Sequence, residues 1–302
     1  MKKLAPQKPQ THRPISSYSA SAPFFSLATK PCTARYAWTF IFSIINDFFF
    51  LQLFQKWHFT KRPVINVETA IDDKIPFLPD QVKDYLGFVQ YFMKPMDMMK
   101  KQLGFKKAAP YNCLYLKFLT RIYKNSASIY RYCMTTTSRP KYYKNHKFRT
   151  IHFFDPHLLC VPSIHVAIAA GVAAWFKQCF KLGLLPEEDQ NAYIEELETQ
   201  ATKIVESVLF IKQHSVNCIP LALYMLSSTM NKSFFSVEDA TAFIDKLFRD
   251  SDKISPEVRH EITEHFYYMY ERTLLESRFS ANWQNCIRHW LSDYAVQTGQ
   301  QI

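Results

Sequence analysis

The chain has 302 residues, of which 48% are hydrophobic, and a formal charge of +11 at pH 7. This much apolar sequence can bury a sizeable core, which excludes disorder throughout the chain. Five glycines are too few for glycine-rich phosphate loops, dinucleotide-binding fingerprints or hairpin-rich β folds, because these structures need residues at positive φ. We therefore expect an all-α protein whose partners are anionic.

The cysteines and histidines do not form the patterns of a metal site. Seven cysteines are widely spaced, without a C-x-x-C pair, and so predict neither a disulfide framework nor a zinc site. His260 and His265 are five residues apart, whereas two ligands on one helical face are four apart. We expect no metal and no cofactor.

The N-terminal part of the chain changes from basic to strongly apolar. Residues 1–34 are rich in Lys, Arg, Pro, Ser and Thr, so we predict a basic, disordered arm. Residues 36–54 are long enough to cross a bilayer, but Asn46 and Asp47 interrupt them. A spanning helix and a helix lying in the membrane interface both fit this pattern. The sequence predicts a membrane-associated protein with at most one or two spans, and a soluble cytoplasmic form remains open.

Amphipathic helices separated by loops follow. Prolines indicate a loop over residues 64–80. Apolar residues at spacings of three and four then predict helices over 80–103, 111–134 and about 162–180. Another helix begins at Pro186, with acidic residues in its first turn as the helix dipole favours.

We expect this helix to continue beyond Ile204 and to carry both Ser207 and His214. Seven residues correspond to about two helical turns, so the two side chains are predicted to lie on one face. The spacing therefore directs both of them toward a common site.

The C-terminal part shows signals of helix starts. Ser236 with Asp239 is a variant of the capping box, and Ser255 precedes a proline at the first helical position. A last helix is predicted over about 281–298. The resulting organisation is a basic arm, a helical core and a C-terminal helical extension, with boundaries at residues 1–34, 35–230 and 231–302.

Two largely apolar runs, Cys160–His165 and Ser207–His214, each contain a hydroxyl and an imidazole. Buried polar groups without partners cost several kcal/mol, so this placement indicates chemistry. Transfer of a phosphate group needs cationic or N–H donors, a nucleophile and an acid. The residues that could supply these without a metal are Arg139, Ser163, His165, Ser207, Lys212 and His214.

The order of these residues resembles the three motifs of the type 2 phosphatidic acid phosphatase superfamily. Arg139-Pro140 comes first, Pro162-Ser163-Ile164-His165 second, and Ser207 with His214 third. The runs Pro162–Val166 and Lys212–His214, with the loop Thr69–Pro79, are most similar to the branch related to inositol phosphorylceramide synthases. The resemblance covers roughly residues 60–225.

The resemblance implies a fold, a mechanism and roles for individual residues. The fold is a helical bundle of the phosphatidic acid phosphatase and haloperoxidase type. His214 matches the histidine that attacks phosphorus and forms a phosphohistidine, without a metal. His165 matches the residue that protonates the leaving oxygen and later activates water. Arg139, Ser163 and Ser207 match phosphate-binding positions.

The sequence departs from the motif at the position that orients the nucleophile. An aspartate normally lies four residues after the attacking histidine, and here Cys218 takes this position, with Asn217 beside it. A neutral group stabilises an imidazolium less than a carboxylate does. Asp155 or another acid is the alternative orienting group.

Two basic positions of the family are also altered. Val208 stands where an arginine often follows the motif serine, and Tyr132 stands where a lysine often precedes Arg139. We expect Lys212 and Arg131, respectively, to supply the missing charges to phosphate.

We therefore expect a metal-independent phosphatase acting on a phosphate monoester, in particular a lipid phosphate such as phosphatidic acid, at an anionic membrane surface. One alternative is lipid head-group transfer, in which the phosphoenzyme passes its group to an alcohol. Another is a catalytically degenerate protein that binds anionic lipid or a protein partner. Nucleic-acid binding is not expected, since the basic residues are dispersed and no recognised module is visible. The sequence does not define the oligomeric state.

Overall fold

The computed structural model describes residues 13–302, except 143 and 145. Helices account for 69% of the structure and strands for 2%, which confirms the all-α class. The strands are β1 (Val64–Asn66) and β2 (Met134–Thr136). The helices are α1 (Ala22–Ala28), α2 (Pro31–Ile44), α3 (Leu51–Lys56), α4 (Ala70–Lys74), α5 (Val82–Leu86), α6 (Phe88–Leu103), α7 (Phe105–Tyr130), α8 (His146–Phe154), α9 (Ile164–Phe180), α10 (Glu187–Phe210), α11 (Cys218–Thr229), α12 (Val237–Lys246), α13 (Pro256–Ser277) and α14 (Trp283–Gln297).

Helix α9 lies at the centre of the core, packed against α6, α7, α10 and α11. Its small residues let neighbouring helices approach closely. At Gly171 an added Cβ would lie 2.8 Å from the ring of Phe118, so only glycine leaves room for this ring. Burial of an aromatic or aliphatic side chain of this size contributes about 1.5–3 kcal/mol.

The prediction of a disordered arm is wrong for residues 13–34. Ile15 and Leu27 are buried in the core, and the segment packs against α6. The carboxylate of Glu196 accepts hydrogen bonds from the backbone N–H groups of Ile15 and Ser16, at 2.8 and 3.2 Å. A few buried apolar side chains and these long-range hydrogen bonds order a segment whose composition is polar. The rest of the predicted arm, residues 1–12, lies outside the described residues.

Strands β1 and β2 form a short parallel ladder in which Ile65 pairs with Thr135. The predicted helix 111–134 therefore ends earlier, at Tyr130, before β2 begins. The predicted helix 80–103 is divided at Gly87 into α5 and α6. Three-residue strands are too short to show an alternating pattern in the sequence.

The C-terminal helices join the same core. The capping box at Ser236 and the N-cap at Ser255 are both confirmed, as is the acidic first turn of α10. Helices α13 and α14 pack on α11, and the side chain of Gln300 hydrogen-bonds to the backbone N–H and carbonyl of Asn66. The extension thus holds the edge of β1 in place.

Helices α2 and α3 are joined by one π-helical turn into a continuous helix, Pro31–Lys56. It is long and apolar enough to cross a membrane by length and composition, and only 33% of its most apolar window is buried. Asp47 is turned inward, where it accepts hydrogen bonds from Ser43 Oγ at 2.9 Å and Arg131 at 2.5 Å. The outer face carries exposed aromatic rings, namely Trp38, Phe42, Phe49, Phe50 and Phe54.

Candidate active site

The structure brings Ser163, His165 and His214 together. His214 Nε2 lies 3.3 Å from Ser163 Oγ and 3.3 Å from His165 Nδ1. The two imidazole rings meet edge to face, with their centroids 5.4 Å apart. Residues from the second and third motifs thus form one cluster, as predicted from the sequence.

Backbone hydrogen bonds to β2 position the start of α9. Cys160 N donates to the carbonyl of Thr135 at 3.2 Å, and Val161 N donates to Thr135 Oγ1 at 2.7 Å. Ser163 is the N-cap of α9, and its hydroxyl accepts from Val166 N at 3.3 Å. This capping bond fixes the hydroxyl beside His214.

The prediction that Ser207 and His214 share a helical face is wrong. Helix α10 ends at Phe210, and Lys212 adopts a left-handed conformation with φ 56°, which turns the chain. His214 therefore lies in the turn between α10 and α11. Ser207 remains in the helix, where its hydroxyl donates to the carbonyl of Ile204 at 2.7 Å, and it makes no hydrogen bond to the clustered histidines in the described chain.

The turn that carries His214 is held by the segment around α4. Asp72 accepts hydrogen bonds from Ser215 Oγ at 2.6 Å, Val216 N at 2.9 Å and Thr69 N at 2.9 Å. The ammonium of Lys212 donates to the carbonyl of Ile75 at 2.6 Å and to that of Asp72. Lys212 therefore anchors the turn and does not extend toward the histidines.

Asp72 is the residue that sequence reasoning missed in this region. Burial raises the pKa of its carboxyl, while its hydrogen bonds to Ser215, Thr69 and Val216 lower it. The signal that could have found it is the spacing Thr69-x-x-Asp72, a capping box that the structure confirms.

We expect Asp72→Ala to lower the free energy of unfolding by about 3–5 kcal/mol, because it leaves several buried donors without an acceptor. Urea unfolding measures the loss. Asp73→Ala is the matched control, since Asp73 is exposed in the same helix. A loss below about 1 kcal/mol at Asp72 would contradict the role assigned to its carboxylate.

The two residues considered as substitutes for the orienting aspartate do not contact the imidazole. Asn217 donates to the carbonyl of Val67 at 2.9 Å and accepts from His265 Nε2 at 2.7 Å. Cys218 is buried at the start of α11 and forms no hydrogen bond to His214 within the described residues. Asn217 thus links Val67, the residue after β1, to α13 and has a structural role.

The predicted phosphate-binding arginines are paired with acids. Arg139 donates to the carboxylate of Asp155 at 2.6 Å and to the carbonyl of Asp155 at 3.0 Å. Arg131 is paired with Asp47, on the buried face of the helix Pro31–Lys56. Asp155 also accepts from His157 N at 3.0 Å, so it holds Arg139 and the loop and does not orient His214.

The histidines line a cavity of about 20 Å³, which is room for a single water molecule. The rings of Tyr85 and Phe88 pack on His165, with centroids 4.7 and 4.6 Å away. Gln213 also lines the cavity, and both polar atoms of its amide are buried without a hydrogen-bond partner. His214 Nδ1 is unpaired in the same way.

A second, open groove lies beside this cavity. It has a volume of about 630 Å³ and contains Arg139 and His152. Asp155 and His157 line both the groove and the histidine cavity, so they separate the two. Of these four residues, only Arg139 belongs to one of the three sequence motifs.

No family model, curated protein or solved structure matches this chain. The interpretation of the site therefore depends on its own residues and geometry. Among the described residues there is no group of three or more His, Cys, Asp or Glu side chains that could hold a metal ion.

Burial sets the protonation of the two histidines. It lowers the pKa of His165 to about 4, an effect that the charge of Asp155 partly opposes. Burial and the neighbouring His165 also lower the pKa of His214 well below its ordinary value. Both rings are neutral at pH 7, so His214 Nε2 can offer a lone pair to an electrophile.

Proposed function

We propose that this protein is a metal-independent phosphatase that hydrolyses a lipid phosphate monoester through a phosphohistidine. The observation that carries the proposal is the buried contact of His214 Nε2 with His165 Nδ1 and Ser163 Oγ, each at 3.3 Å. A neutral nucleophile, a second imidazole and a hydroxyl donor can supply the attack, the proton transfer and a phosphate contact for displacement at phosphorus.

The reaction proceeds in two displacements. His214 Nε2 attacks phosphorus, and the bond from phosphorus to the ester oxygen breaks. The bound phosphate dianion raises the pKa of the neutral His165, so this ring takes up a proton from solvent and gives it to the leaving oxygen. His165 then accepts a proton from water, whose oxygen attacks phosphorus and releases inorganic phosphate from His214. Arg139 and Ser163 bind the phosphate oxygens and stabilise the charge that develops on them.

Substrate binding requires the site to open, because a phosphate group is larger than a cavity of about 20 Å³. The carboxylate of Asp155 accepts a hydrogen bond from the guanidinium of Arg139, in the way that a phosphate oxygen would. We expect the substrate phosphate to displace this carboxylate. Movement of Asp155 and His157 then joins the open groove to the histidines, since both residues line the two spaces.

Asp155→Asn should lower the KM for a phosphate monoester by about tenfold, because the neutral amide competes less well for Arg139 and no longer repels a dianion. Steady-state kinetics measure the change. Asp250→Asn removes one negative charge at an exposed position outside the groove and serves as the control. An unchanged or higher KM for Asp155→Asn would contradict the displacement step.

The position of the groove favours a lipid substrate. Its rim includes Lys56 and His58, at the end of the helix Pro31–Lys56. Trp57 and Phe59 next to them are 56% and 75% exposed. Aromatic and basic side chains in this arrangement suit the head-group level of a membrane. A phosphate head group can enter the basic groove while its acyl chains remain in the bilayer.

The test is phosphate release in the presence of EDTA from two substrates, phosphatidic acid in vesicles and soluble para-nitrophenyl phosphate. We expect turnover of both, with a higher kcat/KM for the lipid. Absence of turnover by folded protein on both substrates would contradict hydrolysis. Transfer of labelled phosphate to an added alcohol then separates the head-group transferase from a protein that only binds anionic lipid.

A further inference from the structure

Another groove, separate from the histidine cavity and from the open groove beside it, combines an apolar floor with a cationic rim. It has a volume of about 610 Å³, within the range of small-molecule sites. We name it the α7 groove, and its floor and rim are formed by Phe118, Trp175, Met230, Phe234, Lys117, Arg121 and Lys124.

The floor is a layer of stacked aromatic rings. Trp175 stacks on Phe234 with centroids 5.0 Å apart and an interplanar angle of 13°. The ring centroid of Phe118 lies 5.1 Å from that of Trp175, and the two planes are tilted by 35°. Met230 adds a flexible apolar side chain that adapts to irregular ligands. This surface is suited to an alkyl or acyl chain.

The rim carries three positive charges at spacings of four and three residues along α7. Lys117, Arg121 and Lys124 therefore lie on one helical face, and all three are exposed. Over the described residues, none of them forms an ion pair, and no carboxylate lines the groove. The rim is thus an uncompensated site for an anion.

Two residues that line the groove each have a buried donor without a hydrogen-bond partner. Trp175 is 8% exposed, and its indole Nε1 is buried without a hydrogen-bond partner. Asn125, which also lines the groove, has an unpaired buried Nδ2.

We propose that the α7 groove binds a single-chain anionic lipid, with its chain on the ring of Trp175 and its head group at Lys117, Arg121 and Lys124. The groove shares no lining residue with the histidine cavity or with the groove beside it. The inference is therefore independent of the proposed phosphatase activity. A bound fatty-acid or lysolipid anion would occupy this site while the histidines turn over another molecule.

Calorimetric titration with dodecanoate below its critical micelle concentration tests the proposal. Dodecanoate is not a phosphate ester, so its binding does not depend on catalysis. We expect saturable binding to the full-length protein, and at least about tenfold weaker binding for Lys117→Gln/Arg121→Gln/Lys124→Gln. The control Lys101→Gln/Lys106→Gln/Lys107→Gln removes the same charge from exposed positions outside the groove and should bind as the wild type does.

Several outcomes would overturn the proposal. These are no saturable binding, equal loss in the two triple variants, or equal affinity for the neutral dodecyl maltoside. Binding of acetate as tight as that of dodecanoate would show an anion site without a chain-binding floor. Loss of vesicle binding in the α7 triple variant, without any dodecanoate binding, would make this face a membrane contact.

Discussion

Replacement of the proposed nucleophile, His214→Ala, should reduce phosphate release by at least about 10⁴-fold on every substrate. The reason is that His214 Nε2 forms the bond to phosphorus, so no later step can occur without it. His165 lies only 3.3 Å away but cannot replace it, because one imidazole must attack while the other transfers the proton. Phosphate release in the presence of EDTA measures the loss.

Two further variants separate the roles of the histidines. His165→Ala should still release one equivalent of nitrophenolate from para-nitrophenyl phosphate, because this leaving group needs little protonation, and should then stall as the phosphoenzyme. On phosphatidic acid the same variant should lose the first step as well. His260→Ala alters an exposed histidine outside the site and should retain activity. Full turnover by His214→Ala would refute the phosphohistidine mechanism.

A trapped intermediate provides a second measurement of the same proposal. In His165→Ala, the labelled phosphate should be acid-labile and base-stable, as expected for phosphorus bound to an imidazole nitrogen. It should be absent from the double variant His165→Ala/His214→Ala. A label that persists in the double variant would place the covalent bond on another residue, such as Ser163.

The helices were predictable because their signals are local. Apolar residues at spacings of three and four, the N-caps at Ser236 and Ser255 and the acids at the start of α10 each depend on neighbours within one or two turns. The meeting of His165 with His214 was predicted by order and spacing, through the resemblance to the phosphatase motifs. The start of α9, near Pro162, was also correct within two residues.

The remaining features depend on contacts between residues far apart in the sequence. The turn at Lys212 is stabilised by Asp72 and Ile75, about 140 residues earlier, so helical period alone extended α10 too far. Likewise, Ile15 and Ser16 in the segment 13–34 are held by the carboxylate of Glu196, about 180 residues later. The pairing of Arg139 with Asp155 could not be predicted, because the carboxylate lies in a loop whose path is set by β2.

The free energy of unfolding should fall more steeply at acidic pH than protonation of the carboxylates alone would cause. The reason is that buried histidines gain protons on unfolding. Burial lowers the pKa of both His165 and His265 to about 4, from an ordinary value of 6.5 in the unfolded chain. Between these two values the unfolded state binds more protons than the folded state. The free energy of unfolding therefore falls as pH falls from about 6.5 to 4, by up to about 3 kcal/mol for each residue.

Urea unfolding at several values between pH 7.5 and 4.5 measures this dependence, and His265→Gln isolates one contribution. Glutamine keeps a donor for Asn217, whose amide oxygen accepts from His265 at 2.7 Å, but it cannot titrate. The variant should lose less stability than the wild type over the acidic range, while the exposed His260→Gln should follow the wild type. Parallel curves for wild type and His265→Gln would show that this ring takes up its proton in the folded state. Because His265 reaches Asn217 next to Cys218, the same measurement reports how firmly the C-terminal helices hold the turn that carries His214.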